Sequence, residues 1–243
     1  MAAGRERRER GLGTGISPWL APVAMVLTQD LVLPAYFRRI EVLGRHWLPT
    51  LGPALLAPTH KARWDALLLP HAAGRRVTGR DCRFMVTLDE MRGVQGWLLH
   101  RLGCFPVNQA RPSLLSLRYA LDLLAAGEQL VVFPEGEIRR QRSREGQAPR
   151  LHQGLARLAL LAASKGVAVP VLPVGIAYDL PWPRPGQRAA LSIGEPLRIE
   201  TPAQGDGRRA AVAFTHRLAA AMAAEEERAS HALALPGLRS DQA

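Results

Sequence analysis

Apolar runs at residues 54–57, 84–86, 104–107, 130–133 and 167–174 are separated by stretches of helical periodicity, and this alternation constrains the fold more than any other feature of the chain. Short runs rich in Val and Leu, with no regular polar alternation, suit strands buried on both faces. Between them Leu114, Leu117, Leu121 and Leu124 recur at helical spacing, with Ser113 after Pro112 as a start signal and Gly127 as a stop. Leu155, Leu158, Ala159 and Ala162 mark another helix, ended by Gly166. Strands and helices in alternation predict an α/β domain: a mixed, substantially parallel sheet flanked by helices. Ligand sites in such sheets gather beyond the strand ends. Both Pro58-Thr59-His60 and Pro134-Glu135-Gly136 fall at such ends, so the two segments are expected to meet across one cleft.

Within the first segment, Thr59-His60-Lys61-Ala62-Arg63-Trp64-Asp65 carries the elements of base catalysis. An alcohol attacking a thioester must lose a proton, and imidazole is suited to accept it near neutral pH. A carboxylate on the far ring nitrogen would fix the tautomer and stabilise the imidazolium. His60 is the candidate base and Asp65 the candidate orienter. On one regular helix these positions would point about 140° apart, so the pair needs a turn or a helix start between them. The sequence offers one: an apolar strand at 54–57, Pro58 to end it, and a helical pattern from Trp64 onward. No enzyme nucleophile is required, because the substrate hydroxyl attacks directly. The chain has no Gly-x-Ser-x-Gly elbow, and neither Cys82 nor Cys104 has a flanking histidine. Taken alone, a His and an Asp at this spacing occur often by chance, and the plainer reading is a surface ion pair or a capped helix start.

Further segments follow in order: Gly103-Cys104-Phe105-Pro106-Val107-Asn108-Gln109, then Val131-Val132-Phe133-Pro134-Glu135-Gly136-Glu137-Ile138-Arg139, then Val169-Pro170-Val171-Leu172-Pro173-Val174. With these four motifs the chain resembles, over about residues 40–200, the glycerolipid acyltransferase family that includes 1-acylglycerol-3-phosphate (lysophosphatidic acid) acyltransferases. The resemblance implies that His60 and Asp65 form the catalytic pair. It implies that Glu135 and Gly136 help bind the acyl acceptor, and that Pro173 belongs to a motif shaping the donor site. It also implies a co-substrate, an acyl-carrier protein or coenzyme A thioester, and no other cofactor.

Two departures touch the acceptor. The second motif usually ends with an arginine that contacts the acceptor phosphate, whereas this chain has Asn108-Gln109; the third usually continues with Thr and Arg, whereas this chain has Glu137-Ile138. Arg111, Arg139 and Arg140 lie close by and are the candidate substitutes, since a guanidinium holds phosphate through paired hydrogen bonds. Solvated loop arginines are the alternative reading.

Charge narrows the partners. The chain has 32 Lys and Arg against 21 Asp and Glu, a formal +11, which favours a polyanion. Aromatics are only 5%, and there is no zinc-finger spacing, RNA-recognition signature or basic region with heptads, so nucleic acid is not expected. An anionic phospholipid membrane and an acidic acyl-carrier protein suit the motifs better, with Arg139, Arg140, Arg142, Arg144 and Arg150 as a basic run beside the third motif. Residues 16–27 are apolar but broken by Pro18 and Pro22, too short and interrupted for a spanning helix. An N-terminal membrane-associating helical segment fits better, with Trp19, Tyr36 and Phe37 near the headgroups and Arg5, Arg7, Arg8 and Arg10 beside them. Glu6, Glu9 and the prolines argue against a cleavable signal peptide, and two cysteines suit a reducing compartment. The seven histidines have no paired-ligand spacing, so no metal is expected.

The expected organisation is a basic N-terminus and interfacial segment at 1–38, an acyltransferase domain at 39–229 and a loose tail at 230–243. Its expected location is the cytoplasmic side of a membrane, peripheral or monotopic. The expected reaction moves a fatty acyl group from a thioester to the free sn-2 hydroxyl of lysophosphatidic acid, giving phosphatidic acid. A different lysolipid or glycerol-3-phosphate as acceptor is the nearest alternative, and a non-catalytic basic membrane-binding protein the other.

Overall fold

The computed structural model describes residues 2–108, 113–139, 151–200 and 206–234. Helix α1 (Ala2–Leu12) precedes α2 (Leu20–Val26), a π-helical turn (Leu27–Val32) and α3 (Leu33–Tyr36). Then follow β1 (Phe37–Leu43), β2 (Ala54–Pro58), α4 (Asp65–Ala73), α5 (Arg75–Thr78), β3 (Cys82–Thr87), α6 (Gly93–Arg101) and β4 (Phe105–Val107). The chain continues through α7 (Leu114–Ala125), β5 (Gln129–Val131), α8 (Gly154–Ala163), β6 (Val171–Tyr178), β7 (Gln187–Ile193) and α9 (Gly207–Ala234).

The strands form one sheet in the order β1-β7-β6-β2-β5-β3-β4. Every neighbouring pair is parallel except β6 with β7. The mixed, largely parallel sheet expected from the alternating pattern is therefore present. β2 is buried at every residue, as a central strand covered on both faces must be. One core layer packs Leu55, Phe105, Tyr119, Leu124, Leu158 and Phe214 from the sheet, α7, α8 and α9; the other packs Leu33, Leu56, Leu68, Leu69 and Leu172 from the sheet, α3 and α4. α9 lies so close to β6 that a Cβ on Gly175 would stand 2.1 Å from the Glu225 carbonyl carbon, and only glycine fits.

Local signals act as expected in α7, where the Ser113 hydroxyl caps the helix by accepting from the Leu115 N–H and Gly127 takes the left-handed φ of 80° beyond its end. Three details differ from the sequence reading. Phe37 begins a strand, so the N-terminal helical segment ends at Tyr36. The last apolar run enters the sheet only at Val171 and continues to Tyr178. α9 runs through Ala234 into the segment read as a tail, with Leu233 buried beside Ala177 and Ala190.

Among the described residues no helix is long and apolar enough to cross a membrane. The N-terminal elements divide into two kinds of surface. α1 docks on the domain: Arg8 pairs with Asp122, Arg5 lies 3.6 Å from Glu128, and the Tyr119 hydroxyl donates to Glu9 at 2.9 Å. Arg5 and Arg8 are thus turned to acidic partners on the domain rather than outward, while Arg7 and Arg10 are exposed. Tyr36 and Phe37 also differ from their expected headgroup position. Phe37 is buried in the core, Tyr36 donates to the Pro183 carbonyl, and both pack on the Trp64 ring. Trp19, Val23, Val26, Leu27 and Leu31, by contrast, are exposed and form one stripe along α2 and the π turn.

Candidate active site

Parallel β2 and β6 deliver the first motif. Register pairs Pro58 with Val174, and the chain leaves the sheet at Thr59, whose N–H donates to the Val174 carbonyl and whose hydroxyl accepts from the Ile176 N–H. This double anchor on a fully buried threonine fixes where His60 emerges. The turn required by the five-residue spacing lies between His60 and α4, and Asp65 is the first residue of that helix. The His60 Nδ1 lies 2.9 Å from Asp65 Oδ2, so the sequence-predicted pair meets.

Asp65 is completely buried and its acceptor capacity is filled. Besides the imidazole, Oδ2 accepts from the Lys61 N–H at 2.6 Å and the Ala62 N–H at 2.9 Å, and Oδ1 accepts from the Tyr178 hydroxyl. Four donors around one carboxylate stabilise its charge in a site without water contact and fix its orientation. Burial first, and then the charge of Asp65, push the Tyr178 hydroxyl well above its ordinary pKa, so Tyr178 is a permanent donor to the carboxylate. With Nδ1 held by an anionic acceptor, Nε2 is the ring nitrogen left for a substrate. The imidazole also stacks on Phe133, with centroids 4.0 Å apart, which limits its rotation.

The third motif reaches the same place from β5. Phe133-Pro134-Glu135-Gly136 makes a turn closed by the Gly136 N–H on the Phe133 carbonyl, and Gly136 has a φ of 78° that favours glycine. The turn points Glu135 at the first motif: its Oε1 accepts from the His60 N–H at 3.2 Å, and the Arg139 N–H donates to the His60 carbonyl at 2.8 Å. Arg139 grips Glu135 with two nitrogens, at 2.9 and 2.7 Å, and reaches Glu226 on α9 at 2.9 Å. Lys61 Nζ meets the same Glu226 at 2.7 Å. Burial alone would lower the Arg139 pKa, but the hydrogen bonds and charges of the two glutamates outweigh it and hold the guanidinium firmly ionised.

Thus His60, Asp65, Glu135, Gly136 and Arg139 come together. Arg139 is engaged with two carboxylates, and a phosphate would have to compete for its donors. Pro173 stands apart: it is buried inside the sheet opposite Ala57, its carbonyl accepts from the Gly194 N–H, and it touches the site only through the β2–β6 register. Arg111, Arg140, Arg142, Arg144 and Arg150 lie outside the described residues. Tyr178, Lys61 and Glu226 were missed in the sequence. Period-two counting from Val174 and Ile176 could have found Tyr178 on their face of β6, but Glu226 carries no local signal.

His60 lines a cleft of about 1660 Å³. Its apolar lining includes Met25 of α2, Ala66 of α4, Phe84 and Met85 of β3, Leu117 of α7 and Leu158 of α8. Cys82 also lines the cleft, but burial pushes its thiol up to about 12, and burial pushes Cys104 up to about 11, so neither is a thiolate near neutral pH. Among the described residues no group of His, Cys, Asp and Glu is arranged to hold a metal ion. The arrangement can take a proton from a hydroxyl placed at Nε2 beside an apolar chain.

The Acyltransferase family model matches residues 39–177, more than half of the chain. Among solved structures, the chain is similar to the crystal structure of the 1-acyl-sn-glycerophosphate (LPA) acyltransferase PlsC from Thermotoga maritima. That match has a TM-score of 0.52 and 19% identity, and covers 82% of this chain and 74% of the other. A comparison with curated protein sequences gave no significant match.

Proposed function

Since the chain belongs to the Acyltransferase family, we propose that it transfers a fatty acyl group from an acyl-carrier protein or coenzyme A thioester to the free sn-2 hydroxyl of lysophosphatidic acid, forming phosphatidic acid. The observation that carries this reading is His60: Nδ1 is held by the fully buried Asp65 while the ring lines a largely apolar cleft. Neutral His60 takes the acceptor's hydroxyl proton at Nε2 as the oxygen bonds to the thioester carbonyl carbon. The imidazolium is stabilised by Asp65, whose charge is held by Tyr178 and two backbone N–H groups. When the carbon–sulfur bond breaks, the proton passes from Nε2 to the departing thiolate. Ester and thiol are the products, and the histidine returns to its neutral form.

A cleft of this volume with a largely apolar lining suits acyl chains. Lys61 and Arg139 are the cations beside the base, and a phosphate headgroup would draw them from Glu226. The acceptor reaches the cleft from an anionic phospholipid surface, on which the exposed α2 stripe docks as a peripheral or monotopic element on the cytoplasmic side. Competition among acceptors tests the specificity. With one labelled thioester and equal amounts of lysophosphatidic acid, other lysolipids and glycerol-3-phosphate, the label is expected in phosphatidic acid. Preferential labelling of another product would reassign the acceptor while leaving acyl transfer in place.

A further inference from the structure

α6 leaves most of its apolar side chains on the surface. Val94, Trp97 and Leu98 are 84%, 51% and 38% exposed and share one stripe with the exposed Arg101, at spacings of three, four and seven from Val94. The only buried residue of the helix is Gly96, whose added Cβ would stand 2.3 Å from the Met91 carbonyl carbon. Leu99 packs on the core from the opposite side of the helix, and Val94, Trp97 and Leu98 are left facing out.

We propose that α6 is a second bilayer-contacting helix, and that with the α2 stripe it seats the cleft mouth on an anionic membrane. This rests on the lipid-acceptor reading above. Three observations favour a bilayer as the occupant. First, the surfaces are continuous: the segment entering α2 runs along the end of α6, with the Gly15 N–H on the His100 carbonyl, the Ser17 N–H on the Arg101 carbonyl and a bridge between Ile16 and Leu102. Second, both helices meet one cleft: Ala21, Ala24 and Met25 of α2 and Gln95 and Leu99 of α6 line the cleft that holds His60. An acyl chain leaving lipid between two seated helices would reach the base without crossing water. Third, the charge is complementary. Neither α2 nor α6 contains an acidic residue, Asp30 in the adjoining turn is paired with Arg76, and the Arg101 guanidinium lies 5.7 Å over the Trp97 ring. An arginine beside a half-exposed indole is the pairing expected at the headgroup level, where each has an apolar body and a polar end.

The test is co-sedimentation of the full chain with vesicles of mixed phosphatidylglycerol and phosphatidylcholine at low salt, using Val94→Ser with Trp97→Ser. A companion variant retaining only Trp97 among the tryptophans is read by fluorescence quenching with bromine-labelled lipid. Both substituted side chains are exposed and outside the cleft lining, so circular dichroism and thermal melting should be unchanged. The expected result is a loss of vesicle partitioning of at least about tenfold, with Trp97 quenched in the single-tryptophan variant. Transfer between a short-chain thioester and a water-soluble acceptor should stay at the wild-type rate. Unchanged partitioning, an unquenched Trp97 or a wild type that does not bind vesicles would overturn the inference. Stripe-dependent binding without turnover of any thioester would instead retain the docking surface and remove the enzymatic reading.

Discussion

Replacing Asp65 by Asn isolates the charge that the structure places behind the base. The amide is nearly the same size as the carboxylate, and its oxygen can still accept from the Lys61 and Ala62 N–H groups, so the turn before α4 keeps its frame. What disappears is the attraction between the carboxylate and the imidazolium that forms in the reaction. For charge centres about 4 Å apart and an effective dielectric of about 20, that attraction is about 4 kcal/mol, equivalent to roughly a thousandfold in rate. Asp65 is fully buried, so acceptor and donor binding should change little. Steady-state transfer under conditions where chemistry limits should show kcat falling by about three decades with KM nearly constant, and melting should confirm a folded variant. Asp65→Ala should differ, because it strands two backbone donors and a tyrosine hydroxyl and should cost roughly 3–5 kcal/mol of stability. A folded Asp65→Asn protein with kcat within about threefold of wild type would refute the role assigned to the carboxylate.

Tyr178→Phe removes one donor from Asp65 while keeping the ring, so kcat should drop by about tenfold and stability by about 1 kcal/mol, measured by the same assay and by denaturant titration. Glu226→Gln removes the shared charge that holds Lys61 and Arg139 from α9, beyond the matched family segment. It should lower kcat several-fold with little change in melting temperature, and Glu226→Asp should recover part of the loss. Stability should fall at high pH. Cys82 keeps its proton up to about 12 in the folded chain, whereas an unfolded thiol releases it near its ordinary value of 9.0. Its contribution is thus complete below pH 9.0 and is lost between 9.0 and about 12, with a slope of at most about 1.4 kcal/mol per pH unit. Cys82→Ala should flatten that limb in denaturant titrations across the window.

The sequence displayed the parts of this molecule that depend on local physics. Apolar runs marked β2, β3 and β5 because central strands cannot hide among polar residues, and the edge strand β4 was marked by the short apolar run that carries its buried Phe105. Ser113 and Gly127 marked the ends of α7 because orphan backbone groups need a cap and the chain needs a left-handed residue to turn. His60 and Asp65 were visible because one short turn joins them. Strands carrying charged residues were harder. β1 reads Phe-Arg-Arg-Ile-Glu-Val-Leu, polar and mostly half-buried, and β7 also mixes charge with alanine, so neither stands out as an apolar run. The contacts that complete the site are long-range: Tyr178 meets Asp65 from 113 residues away, and Arg139 meets Glu226 from 87. No periodicity carries such information. Arg139 illustrates the same limit, since its place in the sequence suggested a phosphate ligand while the fold brings two glutamates to it.

The central claim, that His60 is the base of an acyl transfer to lysophosphatidic acid, is tested most directly by following a labelled acyl group in anionic vesicles. Carrier-protein and coenzyme A thioesters would each be offered to wild type and to His60→Ala. Labelled phosphatidic acid formed by wild type and reduced by about 10² to 10⁴ in the folded variant is the predicted result. Undiminished transfer by the variant would remove His60 from the mechanism, and no phosphatidic acid from either donor would contradict the proposed reaction.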